Sequence, residues 1–473
     1  MCTAGQSLVQ LGSSWGNGFL RVRLFSKSIA AASLGFVVSA SLCDAAKSGV
    51  SLEKTEIPVS AKTVSYTDEK ARLLDFVHLG RFLDVNKICQ QKIADGSAKA
   101  YHYQALALSW LYPNQALTAK AVRICRQGLK QYPADSDLAA TLAVAYLRNQ
   151  QWQPALKQSL RVLEAEPRNV PALAVRALCM RRAGREEPGS LLLQRAIAAN
   201  PGNEEMNMLI VFFARKRNLA EEAYAAFDRW NQLNPRSAVS FAMRGEFEYD
   251  DSRQDDALRN FQKAVALNPE YITALYKMGK LYWNRQNWSA ACSALLRYQK
   301  LGGHNATGIV RLTDSLIRTK QYKEAVRIGL IAIEKFKDKD VRTEEALGLP
   351  GFSVLRESSL LVESQVKLAI AYFYTGEIAK ASALVKTVLS QHPDNVPALD
   401  LSQKMAFKQG NYSHAVAILS QLIVIDRDVQ MWYQWRAEAY KKLGDLGKAQ
   451  NDLAIVDALN KTGRLPETTM SSR

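Results

Sequence analysis

From Tyr66 onward, apolar residues recur at steps of three and four, in blocks of about 13 residues separated by short polar breaks. The blocks come in twos. Pro133, Pro167, Pro201, Pro235 and Pro269 each close a two-block segment and stand 34 residues apart. A helical period predicts two amphipathic helices per segment. The proline ends the second helix, because it cannot donate to the hydrogen-bond ladder and its ring clashes with the preceding turn. Superposed on this period, Ala143, Ala177, Gly245, Gly279, Ala369 and Ala437 share one slot. Ala121, Ala155, Ala223, Ala257, Ala291, Ala325, Ala381, Ala415 and Ala449 share another, and Tyr112, Tyr146, Tyr282, Tyr372 and Tyr440 a third. The small slots let the two helices approach closely, and the aromatic slot fills the space between one pair and the next. A single pair leaves an apolar face bare, so the pairs must stack into an array.

Small residues, a tyrosine, an alanine and a closing proline in this order resemble the tetratricopeptide repeat (TPR) family. The resemblance implies an all-α, right-handed superhelical solenoid of about eleven helix-turn-helix units. On the 34-residue period, units begin near residues 66, 102, 136, 170, 204, 238, 272, 306, 362, 396 and 430, and the last closes at Gly463. Residues 66–339 would hold units one to eight, 340–361 an inserted loop with the turn signal Gly348-Leu349-Pro350-Gly351, and 362–463 units nine to eleven. Three units depart from the pattern. The unit at 170 has Gly189 at the alanine slot, the unit at 204 has Val211 and Ala214 at the small and tyrosine slots, and the unit at 272 ends in Leu301-Gly302-Gly303.

The first 46 residues are a different material, without Asp or Glu before Asp44. Arg21, Arg23 and Lys27 precede the apolar stretch Ile29 to Leu42, which is too short for a membrane span of about 20 residues and is followed by small residues. A cleavable export signal is the expected reading, placing the mature chain in a periplasmic or secreted setting. The acid-free, Arg- and Ser-containing segment also leaves a mitochondrial presequence open. Residues 47–65 are expected as a flexible linker and 464–473 as a disordered tail.

Composition then narrows the function. The net charge is +17, and removing the three basic residues ahead of Asp44 leaves +14. The cations are dispersed and mixed with acids, whereas a nucleic-acid groove shows basic stripes with stacking aromatics. A nucleic-acid-binding helical-repeat protein is therefore the lesser alternative. The five histidines have no HExxH spacing and the cysteines no CxxC, so neither a metal site nor a cofactor is expected. Cys89 and Cys125 fall on second helices of adjacent units, where a disulfide stays open in an oxidising compartment. The expected role is a non-enzymatic scaffold for a protein or peptide partner.

In proteins similar to this one the first helix of each pair lines the concave face. Projecting its inward slots gives Met208, Phe212 and Arg215, then Glu246 and Tyr249, then Tyr276, Lys280 and Trp283, then Asp314. Phe212, Arg215, Tyr249, Tyr276, Lys280 and Trp283 are the candidate groove residues, with aromatics to take side chains and cations to take carboxylates or carbonyls.

Overall fold

The computed structural model describes residues 68–112, 117–303, 305–337 and 353–464. The expected leader (1–46), the linker (47–65) and all of the tail beyond Arg464 lie outside these residues. Every element among the described residues is a helix, and the helices fall into eleven pairs. The pairs are α1 (Glu69–His78) with α2 (Phe82–Ala94), α3 (Ala100–Leu111) with α4 (Thr118–Gln131), and α5 (Ser136–Arg148) with α6 (Trp152–Ala165). Then come α7 (Val170–Arg182) with α8 (Glu186–Ala199), α9 (Glu204–Arg217) with α10 (Ala220–Leu233), and α11 (Ala238–Asp250) with α12 (Gln254–Leu267). Next are α13 (Ile272–Asn284) with α14 (Trp288–Lys300), and α15 (Ala306–Arg318) with α16 (Tyr322–Lys337). The last three are α17 (Ser353–Thr375) with α18 (Ile378–Gln391), α19 (Val396–Lys408) with α20 (Tyr412–Ile425), and α21 (Gln430–Leu443) with α22 (Leu446–Thr462). They divide into two compact units, Lys62–Leu360 and Leu361–Arg473.

The slots read from the sequence have a direct physical counterpart. All nine alanines of the second slot are buried, none more than 2% exposed. A Cβ at Gly279 would lie 2.5 Å from Leu295 Cγ, and one at Gly245 would lie 2.9 Å from the Phe261 ring. The helices of a pair touch there. The exception at Gly189 follows the same rule, since a Cβ would lie 2.8 Å from the Ala177 carbonyl oxygen. Second helices α4, α6, α8, α10 and α12 each stop two residues before the periodic proline, with a single C-cap residue between. First helices start on side-chain caps: Asp135, Asn169, Asn203, Ser237, Asn305 and Asn395 each accept from a backbone N–H of the first turn.

Between the two helices of a pair, one slot takes a left-handed backbone in every unit where it is described. Glycine fills it at 80, 184, 376, 410 and 444, but Gln150, Asn218, Ser252, Gln286 and Lys320 adopt φ near +60° there. The turn thus demands the left-handed conformation whatever the side chain.

Helix α17 begins at Ser353, so the C-terminal part of the expected 340–361 loop continues the first helix of unit nine upstream. The stretch 353–361 carries no proline or glycine to stop a helix, and the turn signal at 348–351 falls outside the described residues.

Within Lys62–Leu360, one hydrophobic cluster runs from Leu73 to Tyr298. Helix pairs one to six also close on themselves: α1 packs against α11, and α5 against α9, across intervening units. Tyr271, at the start of α13, stacks edge-on to Phe82 with ring centroids 6.0 Å apart and lies over Gly80, where any Cβ would collide with its ring.

Candidate functional site

The closure decides which first-helix residues can meet a partner. In α9 every residue from Met206 to Ala214 is buried, Met208 at 0% and Phe212 at 3% exposure. The Arg148 guanidinium stands 4.7 Å over the Phe212 ring and donates 2.8 Å to the Leu111 carbonyl. Burial brings this arginine's pKa down to about 10. Behind it, Tyr112 and Trp230 lie 6.2 Å apart, and Trp230 stacks on Phe227.

A polar seam runs through the same interior. His78 Nδ1 is 3.4 Å from Glu204 Oε1, and Ser237 Oγ donates to Glu204 Oε2 at 2.9 Å. Burial raises the Glu204 carboxyl to about 8 and lowers the His78 imidazole to about 4. At the surface, Lys70 of α1 bonds Asp137 of α5 at 2.6 Å. The inner face of these units is therefore filled by the chain itself. Phe212, expected as a groove wall, is a core residue.

The open surface begins where the closure ends. Arg215 is exposed and pairs with Asp250 of the next first helix. Tyr249 is half-buried, with Lys277 and Lys280 Nζ each 5.1 Å over its ring. Glu246, beside them, is raised by burial, against the pull of Lys277 and Arg215. Trp283 donates its indole N–H to Asp314 at 2.9 Å, and Arg311 stands 5.4 Å over its ring. Cations and rings so alternate across α9, α11, α13 and α15. Tyr276 plays another part: it packs 5.3 Å from Tyr298 and against Gly308 of the following unit, so it joins two units.

A second row lies in Leu361–Arg473 and escaped the slot projection. Phe407 meets Trp435 edge-on at 5.1 Å and Tyr412 at 5.7 Å, and Lys408 stands 5.1 Å from the Phe373 ring. Trp435 and Tyr374 are exposed at 38% and 48%. An aromatic one slot beyond the shared tyrosine, at Tyr249, Trp283, Phe373 and Phe407, was the available signal.

No group of His, Cys, Asp and Glu among the described residues is arranged to hold a metal. Cys89 and Cys125 are separate buried thiols, so the disulfide left open by their spacing is not formed. Burial pushes Cys89 up to about 12 and Cys125 higher, which makes both poor nucleophiles. No helix among the described residues is long and apolar enough to cross a membrane.

Among the described residues, helix pairs close-packed through small residues define a helical-repeat protein. Residues 245–286 match the family model described as TPR repeat, and residues 273–301 the one described as tetratricopeptide repeat. The chain thus carries tetratricopeptide repeats. No curated protein matches the sequence significantly. Among solved structures it is similar to YrrB, a TPR protein with an unusual peptide-binding site, at 18% identity over 44% of this chain and 95% of that one, TM-score 0.34. It is similar to PilF of Pseudomonas aeruginosa at 19% identity over 43% and 92%, TM-score 0.35. The TPR domain of P58(IPK) aligns at 14% identity over 81% and 100%, TM-score 0.24.

Proposed function

We propose that the protein is a non-enzymatic scaffold that holds an extended segment of a partner protein across the first helices of units six to eight. The observation that carries this reading is the half-buried row Tyr249, Lys280 and Trp283, where cations stand over rings on a face that the closure leaves uncovered. Such a row offers apolar contact to side chains and charge-assisted bonds to carboxylates or carbonyls. Replacing Tyr249, Lys280 and Trp283 together with Ala should abolish recovery of the partner in crosslinking pull-downs while circular dichroism keeps full helicity. Undiminished recovery contradicts the reading.

The setting belongs to the same proposal. The acid-free leader with its apolar stretch from Ile29 to Leu42 supports export. Fractionation of the tagged protein, with sequencing of its mature N-terminus, should find it outside the cytosol and shortened. Full-length protein in the cytosol would overturn this part.

A further inference from the structure

The turns inside units three, four and five meet around a cleft of about 600 Å³ that borders the closure at Phe212 and lies apart from the row at 249–283. Trp152, Arg181, Arg182, Phe213, Lys216 and Arg217 line it. Its floor is Phe213, 2% exposed, with the Arg181 guanidinium 4.9 Å and that of Arg217 5.4 Å from the ring. Arg182 lies 4.4 Å over Trp152.

Charge is unevenly answered within this cleft. Glu186 takes Arg181 Nε at 2.6 Å and Arg217 at 2.8 Å, and Glu222 holds Arg181 from behind. Arg182 and Lys216 have no acidic partner among the described residues, and both are exposed. Cations at the ends of α7 and α9 can bond the last helix carbonyls. Among the described residues none of Arg182, Lys216 and Arg217 does so. The donors of Arg182 and Lys216 are presented to whatever enters, with Arg217, held by Glu186, beside them.

We propose that this cleft binds an acidic peptide segment, its carboxylates seated between Arg182, Lys216 and Arg217. The volume suits a few residues of extended chain. Nucleic acid fits less well, because single strands are held on open aromatic platforms. Here Phe213 is buried and the Trp152 ring carries Arg182, so a base finds no free face.

The test uses the full chain and a fluorescein-labelled, N-acetylated hexaglutamate peptide, read by anisotropy at low salt. Arg182→Glu with Lys216→Glu should weaken binding by at least about tenfold, since two charge-assisted contacts turn repulsive. The charge-matched pair Lys130→Glu with Lys157→Glu, exposed on α4 and α6, should change it by less than about threefold, the screened effect of distant charge. An unchanged thermal midpoint in both variants shows that the fold is kept. Three outcomes overturn the proposal: no binding of the peptide, equal loss in both double variants, or tighter binding of a ten-nucleotide thymidine strand that the cleft variant abolishes.

Discussion

A single backbone conformation, repeated once per unit, shows how the array trades local strain for regularity. The left-handed slot holds glycine in some units and Gln150, Ser252, Gln286 or Lys320 in others. A side chain there costs on the order of 1–2 kcal/mol, partly offset by glycine's greater freedom in the unfolded chain. Gln286→Gly should therefore stabilise by up to about 1 kcal/mol, visible as a higher thermal midpoint. The opposite holds in the contact slot. Gly279→Val adds atoms where a Cβ already lies 2.5 Å from Leu295, and should destabilise by about 2 kcal/mol or more, with earlier proteolysis of units seven and eight. The shared slots of alanine, glycine and tyrosine were legible because each unit repeats the same contact. The left-handed slot was hidden, because in Gln150, Ser252, Gln286 and Lys320 it is filled by residue types that do not mark it.

At the scale of helices, periodicity located the pairs but not the faces they bury. Between Met206 and Ala214 only Asn207 is polar, and that nearly unbroken run marks a helix covered all round. Slot projection placed Met208 and Phe212 on an open groove, because it assumes that every first helix keeps one side free. In the structure that side meets α5 and Arg148. Met208→Lys is accordingly predicted to destabilise by about 3 kcal/mol or more in thermal or denaturant unfolding, since it buries an unpaired charge. On an open groove wall the same change would be nearly neutral. The upstream start of α17 was similarly hidden, since Gly348-Leu349-Pro350-Gly351 spoke for a loop.

At the scale of the molecule, closure of pairs one to six through His78, Glu204 and Ser237 makes stability depend on pH. A carboxyl raised by burial to about 8 favours the closed form while protonated, and that advantage is lost as pH climbs from the ordinary 4.5 through about 8. The His78 imidazole, lowered to about 4, acts in the opposite sense, costing stability as pH falls below 6.5. Between pH 6.5 and 8 only the carboxyl of this pair is changing, so the thermal midpoint should fall across that window. Glu204→Gln should flatten the fall. The +17 charge is an excess that ion pairs such as Arg244 with Asp228 and Glu248 do not remove, and at Arg182 and Lys216 it is exposed.

The central claim is that partners meet the uncovered row and not the filled inner face. Site-specific photo-crosslinking decides it most directly: a benzophenone amino acid placed at Trp283 or Tyr249, and in a separate variant at Phe212, irradiated in the native compartment. Adducts to a partner from positions 283 and 249, with none from 212, are the predicted result. Adducts from 212 with none from 283 and 249 would contradict the account, because they would require an inner face open to a partner.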